Sequence, residues 1–150
     1  MTRPIEEIRD EFIEKIGLLM QSDGLPRTAG RVMGLLVWKG DAIAFCDLAT
    51  ELQVSRGSIS TATRILIDRH MIRRVTKPGD RQDYFQLAEK SYESMVKDLS
   101  MKFRRRSEEL CATLNGVPES EPEIRERVRA YSIMLDSLSK KIAELADEMV

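Results

Sequence analysis

The residues best equipped for chemistry lie between Ser55 and Arg81: Arg56, Arg64, Arg69, Arg73, Arg74, Lys77 and Arg81, with only Asp68 and Asp80 opposing them. Seven cations and two anions give this stretch +5; the whole chain carries −1, so the remainder carries −6. A basic module on an acidic scaffold suits local phosphate binding rather than general adhesion to polyanions. Catalysis is poorly provided for. The single histidine, His70, cannot supply a nucleophile–base arrangement by itself, and neither paired carboxylates nor a phosphate-cradling loop accompany it. Cys46 and Cys111 stand outside any close-spaced metal motif, so we expect no metal, no cofactor and no enzyme. Lone cysteines are more often small buried hydrophobes than redox sensors.

Elements must position those cations. Ser55 is a natural N-cap for a helix in which Ile59, Ala62 and Leu66 share one face while Arg56, Gly57, Ser60, Thr61 and Arg64 lie on the opposite side. An apolar back with a small, polar front can enter a major groove, because short side chains let the backbone approach the base edges. Cys46 to Leu52 reads as a two-turn helix before it, with Gln53-Val54 as the turn. Downstream, Ile72 to Thr76 and Gln82 to Leu87 alternate as strands around Lys77-Pro78-Gly79-Asp80-Arg81, a basic hairpin. Lys77 and Arg81 flank its tip.

The flanks are helical. Ile5, Ile8, Phe12, Ile16 and Leu19 give an amphipathic helix ending near Gly24; Arg27 to Trp38 gives a second, followed by a short apolar strand at Ala42 to Phe45. A long helix is expected over Ala88 to Asn115. Arg104-Arg105-Arg106 within it is followed by Glu108 and Glu109, the mark of a solvated face. Ser120 and Glu123 have capping-box spacing. The last helix repeats Ile124, Val128, Tyr131, Leu135, Leu138, Ile142, Leu145 and Met149 at alternating spacings of 4 and 3. That is a heptad seam, roughly 39 Å long at about 1.5 Å per residue. It outreaches so small a domain and asks for a second copy of the chain.

Three segments carry a family resemblance: Gly24-Leu25-Pro26-Arg27-Thr28-Ala29-Gly30-Arg31 with Gly34-Leu35-Leu36; Leu52-Gln53-Val54-Ser55-Arg56-Gly57-Ser58-Ile59-Ser60; and Arg73-Arg74-Val75 with Pro78-Gly79-Asp80-Arg81 before Tyr84-Phe85. They resemble the MarR superfamily of bacterial and archaeal transcription regulators, and within it the GbsR-like branch. The resemblance implies a two-fold dimer joined through terminal helices, a recognition helix at Ser55–His70, and a wing whose tip lies along the minor groove. It adds Arg27 and Thr28 to the DNA-contacting set, gives Arg81 a reach to phosphate or minor groove, and makes Asp80 the residue that orients basic neighbours. Ala44 departs from the pattern where relatives place a Ser or Thr cap. His70 departs where a glycine usually ends the recognition helix, although histidine is enriched among non-glycine residues with positive φ.

The expected fold is mainly α with a small β-hairpin wing: a winged helix-turn-helix with flanking dimerisation helices. Residues 1–23 form an N-terminal dimerisation helix, 24–87 the DNA-binding domain and 88–150 the C-terminal dimerisation helices. The DNA-binding set is Arg27, Thr28, Ser55, Arg56, Gly57, Ser58, Ser60, Thr61, Arg64, Lys77 and Arg81. The dimer set is Ile5, Ile8, Phe12, Ile124, Val128, Tyr131, Leu135, Leu138, Ile142 and Leu145. The expected partners are a double-stranded DNA operator of pseudo-palindromic sequence and a second copy of the chain, with room for a small-molecule effector. The competing reading is a winged-helix protein-interaction subunit of a larger assembly. No apolar signal core follows Met1 and no run approaches the roughly 20 residues that span a bilayer. A cytoplasmic location is therefore expected.

Overall fold

The computed structural model describes residues Thr2 to Met149; Met1 and Val150, the end residues of the expected 1–23 and 88–150 segments, lie outside it. The elements run α1 (Ile5–Ser22), α2 (Arg27–Lys39), β1 (Ile43–Ala44), α3 (Phe45–Leu52), α4 (Arg56–Asp68), β2 (Ile72–Val75), β3 (Tyr84–Leu87), α5 (Ser91–Leu114) and α6 (Pro122–Glu148). The fold is mainly helical with a three-stranded antiparallel sheet ordered β1-β3-β2: a winged helix-turn-helix with two long C-terminal helices. Two compact units divide between Ser91 and Tyr92.

In the first unit the core gathers Val32, Leu35 and Leu36 from α2, Leu48 from α3, Ile59 and Leu66 from α4, and Phe85 from β3, all essentially removed from water. Helix α1 packs on α2 through Ile13, Gly17 and Met20, with the Phe12 ring 5.8 Å from that of Trp38, while the two ends of the expected Ile5–Leu19 line stay outside. Ile5 is 59% exposed and Leu19 62%. The helices approach so closely because of glycine. A Cβ on Gly30 would sit 2.6 Å from the Gly17 Cα and 2.7 Å from the Ile16 carbonyl oxygen. Ala44 caps α3 without a side-chain bond. Instead the Phe45 amide donates to the Asp83 carbonyl at 2.9 Å, so the sheet satisfies a group that a serine would otherwise serve.

The second unit is an antiparallel helix pair closed by serines. Ser100 Oγ donates to the Ser139 carbonyl at 2.8 Å, and Ser139 Oγ donates back to the Ser100 carbonyl at 3.0 Å. One heptad along α5, Ser107 and Ser132 repeat the exchange at 3.1 and 3.2 Å. All four serines are buried. The small residues let the backbones approach, and each hydroxyl that loses water gains a carbonyl.

Two expectations on α6 are corrected. The capping box does not form: Glu121 is the N-cap, without a side-chain bond, and Pro122 opens the helix. A residue preceding proline is pushed out of the helical region, so Glu121 cannot be the first helical residue that a Ser120 cap requires. The heptad seam also divides. Leu135 is buried in its own helix pair, on the line of Ser132, Ser139 and Ala146, whereas Tyr131, Leu138 and Leu145 are 60, 41 and 50% exposed. Ile124 is exposed too, and Val128 and Ile142 are half-buried.

Candidate nucleic-acid interface

Helix α4 starts where its first side chain can satisfy it. Ser55 Oγ accepts from the Ser58 amide at 3.1 Å and donates to Ser58 Oγ at 2.9 Å. Ile59, Ala62 and Leu66 are buried, and Thr63 joins them because its hydroxyl returns to the Ile59 carbonyl at 2.8 Å. Gly57, Ser58, Thr61 and Arg64 remain exposed, and Ser60 is half-buried. The helix is reached by a tight turn at Gln53 (φ 54°) and left through His70 (φ 58°). The His70 amide donates to the Ile67 carbonyl and the Met71 amide to the Leu66 carbonyl, both at 2.9 Å, closing the helix end as a left-handed glycine would.

Around this face the cations differ in how they are held. Arg56 turns back onto α3: its guanidinium lies 5.1 Å from the Phe45 ring centre and donates to Cys46 Sγ at 3.4 Å. Arg64 has no hydrogen-bonding or ionic partner for its side chain among the described residues, and it lines a groove running from α4 to the wing with Ser60, Phe45 and Arg74. On the other flank Thr28, at the start of α2, shares a shallow depression with Ser55, Gly57, Ser58 and Thr61. Arg27 beside it is paired with Glu14 of α1.

Glu14 also binds Arg31 at 2.7 Å, and Arg31 donates to the Leu52 carbonyl at 2.9 Å. Burial alone would raise the Glu14 carboxyl, but the Arg27 hydrogen bond and the charges of Arg31 and Arg27 outweigh it and hold the group below the ordinary glutamate range. Arg31 thus ties α1 to the last turn of α3, directly before the turn into α4. Sequence reasoning passed over it.

The wing pairs Ile72 with Leu87 and Val75 with Tyr84, and β3 pairs again with β1. Gly79 turns its tip at φ 78°. Asp80 fastens the turn through both carboxylate oxygens. One carboxylate oxygen accepts from the Gln82 amide at 2.9 Å and the other from the Tyr84 hydroxyl. The Tyr84 bond first, then the Gln82 amide, holds the Asp80 carboxyl below its usual range. Lys77 rests its ammonium 4.2 Å from the Tyr84 ring centre. Arg81 is exposed. Tyr84 is the second residue that sequence reasoning missed, and no spacing rule for hairpins would have pointed to it.

Among the described residues, no group of three His, Cys, Asp or Glu side chains is arranged to hold a metal ion. Nor, among the described residues, is any helix long and apolar enough to cross a membrane.

No protein-family model matches the chain. The chain is similar to the HTH-type transcriptional regulator MmpR5 of Mycobacterium tuberculosis, with 29% identity over 135 residues covering 89% of this chain and 82% of the other. It is also similar to the HTH-type transcriptional repressor GbsR of Bacillus subtilis, with 31% identity over 88 residues, 59% of this chain and 48% of the other. A crystal structure of a transcriptional regulator aligns over 93% of this chain and 96% of its own at 26% identity, with a TM-score of 0.72. The capped helix with its apolar back, the wing and these likenesses lead to one conclusion: the chain has the winged helix-turn-helix fold and is similar to HTH-type transcription regulators, DNA-binding proteins rather than enzymes.

Proposed function

We propose that the protein is a sequence-specific regulator, of the GbsR-like branch, that binds a pseudo-palindromic operator as a homodimer in the cytoplasm. The observation that carries this reading is the exposed face of α4, a row of small residues ending at an arginine whose side chain has no hydrogen-bonding or ionic partner among the described residues. Arg64 and Thr61 would face base edges in the major groove, with Ser58, Ser60 and Gly57 letting the backbone approach. Arg27, Thr28 and Ser55 would hold phosphates beside it, and Arg56 would leave its Phe45 platform only if a phosphate offered more than the ring does. Lys77 and Arg81 would follow the backbone from the wing.

The dimer would be joined through apolar side chains that a single copy leaves in water, Ile5 on α1 and Ile124, Tyr131, Leu138 and Leu145 on α6, together with half-buried Ile8 and Phe12 of α1. Half-buried Val128 and Ile142 would border that contact, while Leu135 would support it from within. A small-molecule effector would act by changing the separation of the two recognition helices. The GbsR-like placement rests on the 31% identity over 88 residues.

Selection of bound fragments from random duplex DNA tests the reading. The expected product is an inverted repeat with half-site centres about one helical turn, roughly 10 base pairs, apart. Arg64→Ala should then weaken binding to that site by about 10- to 100-fold, with a smaller effect on unrelated duplexes. Equal recovery of all sequences would contradict it.

A further inference from the structure

We propose that Tyr84 is the positioning residue of the wing, setting where the two tip cations stand; the inference rests on the duplex-binding reading above. Tyr84 is rooted in the middle strand of the sheet, opposite Val75 on one side and Ala44 on the other. Beyond it, Lys77 to Arg81 have no strand pairing to fix them. The tyrosine reaches that tip in two ways. Its hydroxyl donates to Asp80, whose other oxygen takes the Gln82 amide at 2.9 Å while its own amide donates to the Lys77 carbonyl at 3.1 Å. Its ring face carries the Lys77 ammonium at 4.2 Å from the centre, well inside the roughly 6 Å range of a cation–π contact. One side chain therefore holds an anion by its edge and a cation by its face.

The consequence concerns Arg81. Its backbone lies between Asp80 and Gln82, which the Asp80 carboxylate joins. Anchoring Asp80 to the sheet thus confines the start of the Arg81 side chain while leaving the guanidinium available. Without the anchor, the tip would have to be ordered at the moment of binding, and that entropy would be subtracted from the affinity. Tyr84 does not contact the duplex in this account; it acts through Asp80, Lys77 and Arg81.

The test is a set of titrations on the selected operator using the full chain. Tyr84→Phe keeps the ring beneath Lys77 and removes only the hydroxyl; it should weaken affinity roughly 5- to 10-fold, as loss of one partnered hydrogen bond in each protomer would. The slope of log affinity against log salt should become shallower, because fewer phosphates are neutralised. Asp80→Ala should reproduce the loss, and the double variant should be no weaker than either single one, the signature of two groups acting as one unit. The Gln82 amide should exchange faster with solvent in Tyr84→Phe at unchanged thermal stability. A Tyr84→Phe protein with wild-type affinity and slope overturns the proposal, as do additive losses in the double variant. A wild-type chain indifferent to duplex DNA overturns this proposal and the DNA-binding reading together, whereas a binding wild type with an unaffected Tyr84→Phe overturns this one alone.

Discussion

The two compact units solve the burial problem in opposite ways. Up to Ser91, large apolar side chains turn inward until Leu48, Ile59 and Leu66 have no exposed surface at all. From Tyr92 on, the inward line of the helix pair is built of Ser100, Ser107, Ser132 and Ser139, while Tyr131, Leu138 and Leu145 are left in water. A folded chain ordinarily buries leucine and exposes serine. The inversion has a physical reading: serines allow two helices to touch closely, and the apolar residues so displaced are the ones proposed above to meet a second copy.

The sharpest way to break this contrast is to charge the outward face. Leu138→Glu with Leu145→Glu removes four leucines from a proposed dimer interface, each contributing about 1.5–3 kcal/mol when fully buried. Sedimentation should show a monomer where the wild type sediments as a dimer, and unfolding should lose its dependence on protein concentration. A variant that still dimerises places the interface elsewhere.

Close approach in the first unit depends on glycine, and it is the next most sensitive point. Gly30→Ala sets a methyl carbon 2.6 Å from the Gly17 Cα and 2.7 Å from a backbone oxygen, so α1 or α2 must shift. The expected destabilisation is about 1–3 kcal/mol in denaturant unfolding. Close approach in the second unit depends on hydroxyls, and Ser107→Ala removes one hydrogen bond of a reciprocal pair. It should cost only about 0.5–1.5 kcal/mol. A serine variant costing more than the glycine variant would reverse the ranking of the two contacts.

The smallest effect concerns pH. The Glu14 carboxyl is held below its ordinary range by Arg27 and Arg31. A depressed acid contributes stability that is present above its unfolded pKa and lost as pH falls through the folded one. Glu14→Gln should therefore flatten the acid limb of the stability curve below about pH 4.5 and leave the neutral region nearly parallel to wild type. A variant whose acid limb is as steep as that of the wild type would mean the pairs contribute nothing measurable.

The DNA-facing half was legible because its signals are local. Ser55 precedes an apolar row, His70 replaces glycine where the chain must turn left-handed, and Pro78-Gly79 sits between two alternating runs. Each of these is fixed by backbone sterics within a few residues. The second unit was less legible because apolar periodicity tracks large side chains, and its inner line is made of small hydroxyls. That is why the seam read as continuous when Leu135 lies inside and Leu138 outside. Ser120 and Glu123 had the right spacing for a cap, yet Pro122 between them decided where the helix starts. Arg31 and Tyr84 went unread because their partners, the Leu52 carbonyl and Asp80, are brought to them by turns of the chain rather than by spacing along one element.

In the proposed complex two copies present their α4 helices to successive major grooves. An anisotropy titration on the selected inverted repeat, beside the same duplex with about five base pairs inserted between the half-sites, tests it directly, since half a helical turn moves one half-site to the opposite face of the DNA. The insertion should weaken binding by at least about 100-fold, close to the level of unrelated sequence. Equal affinity for the two duplexes would contradict it.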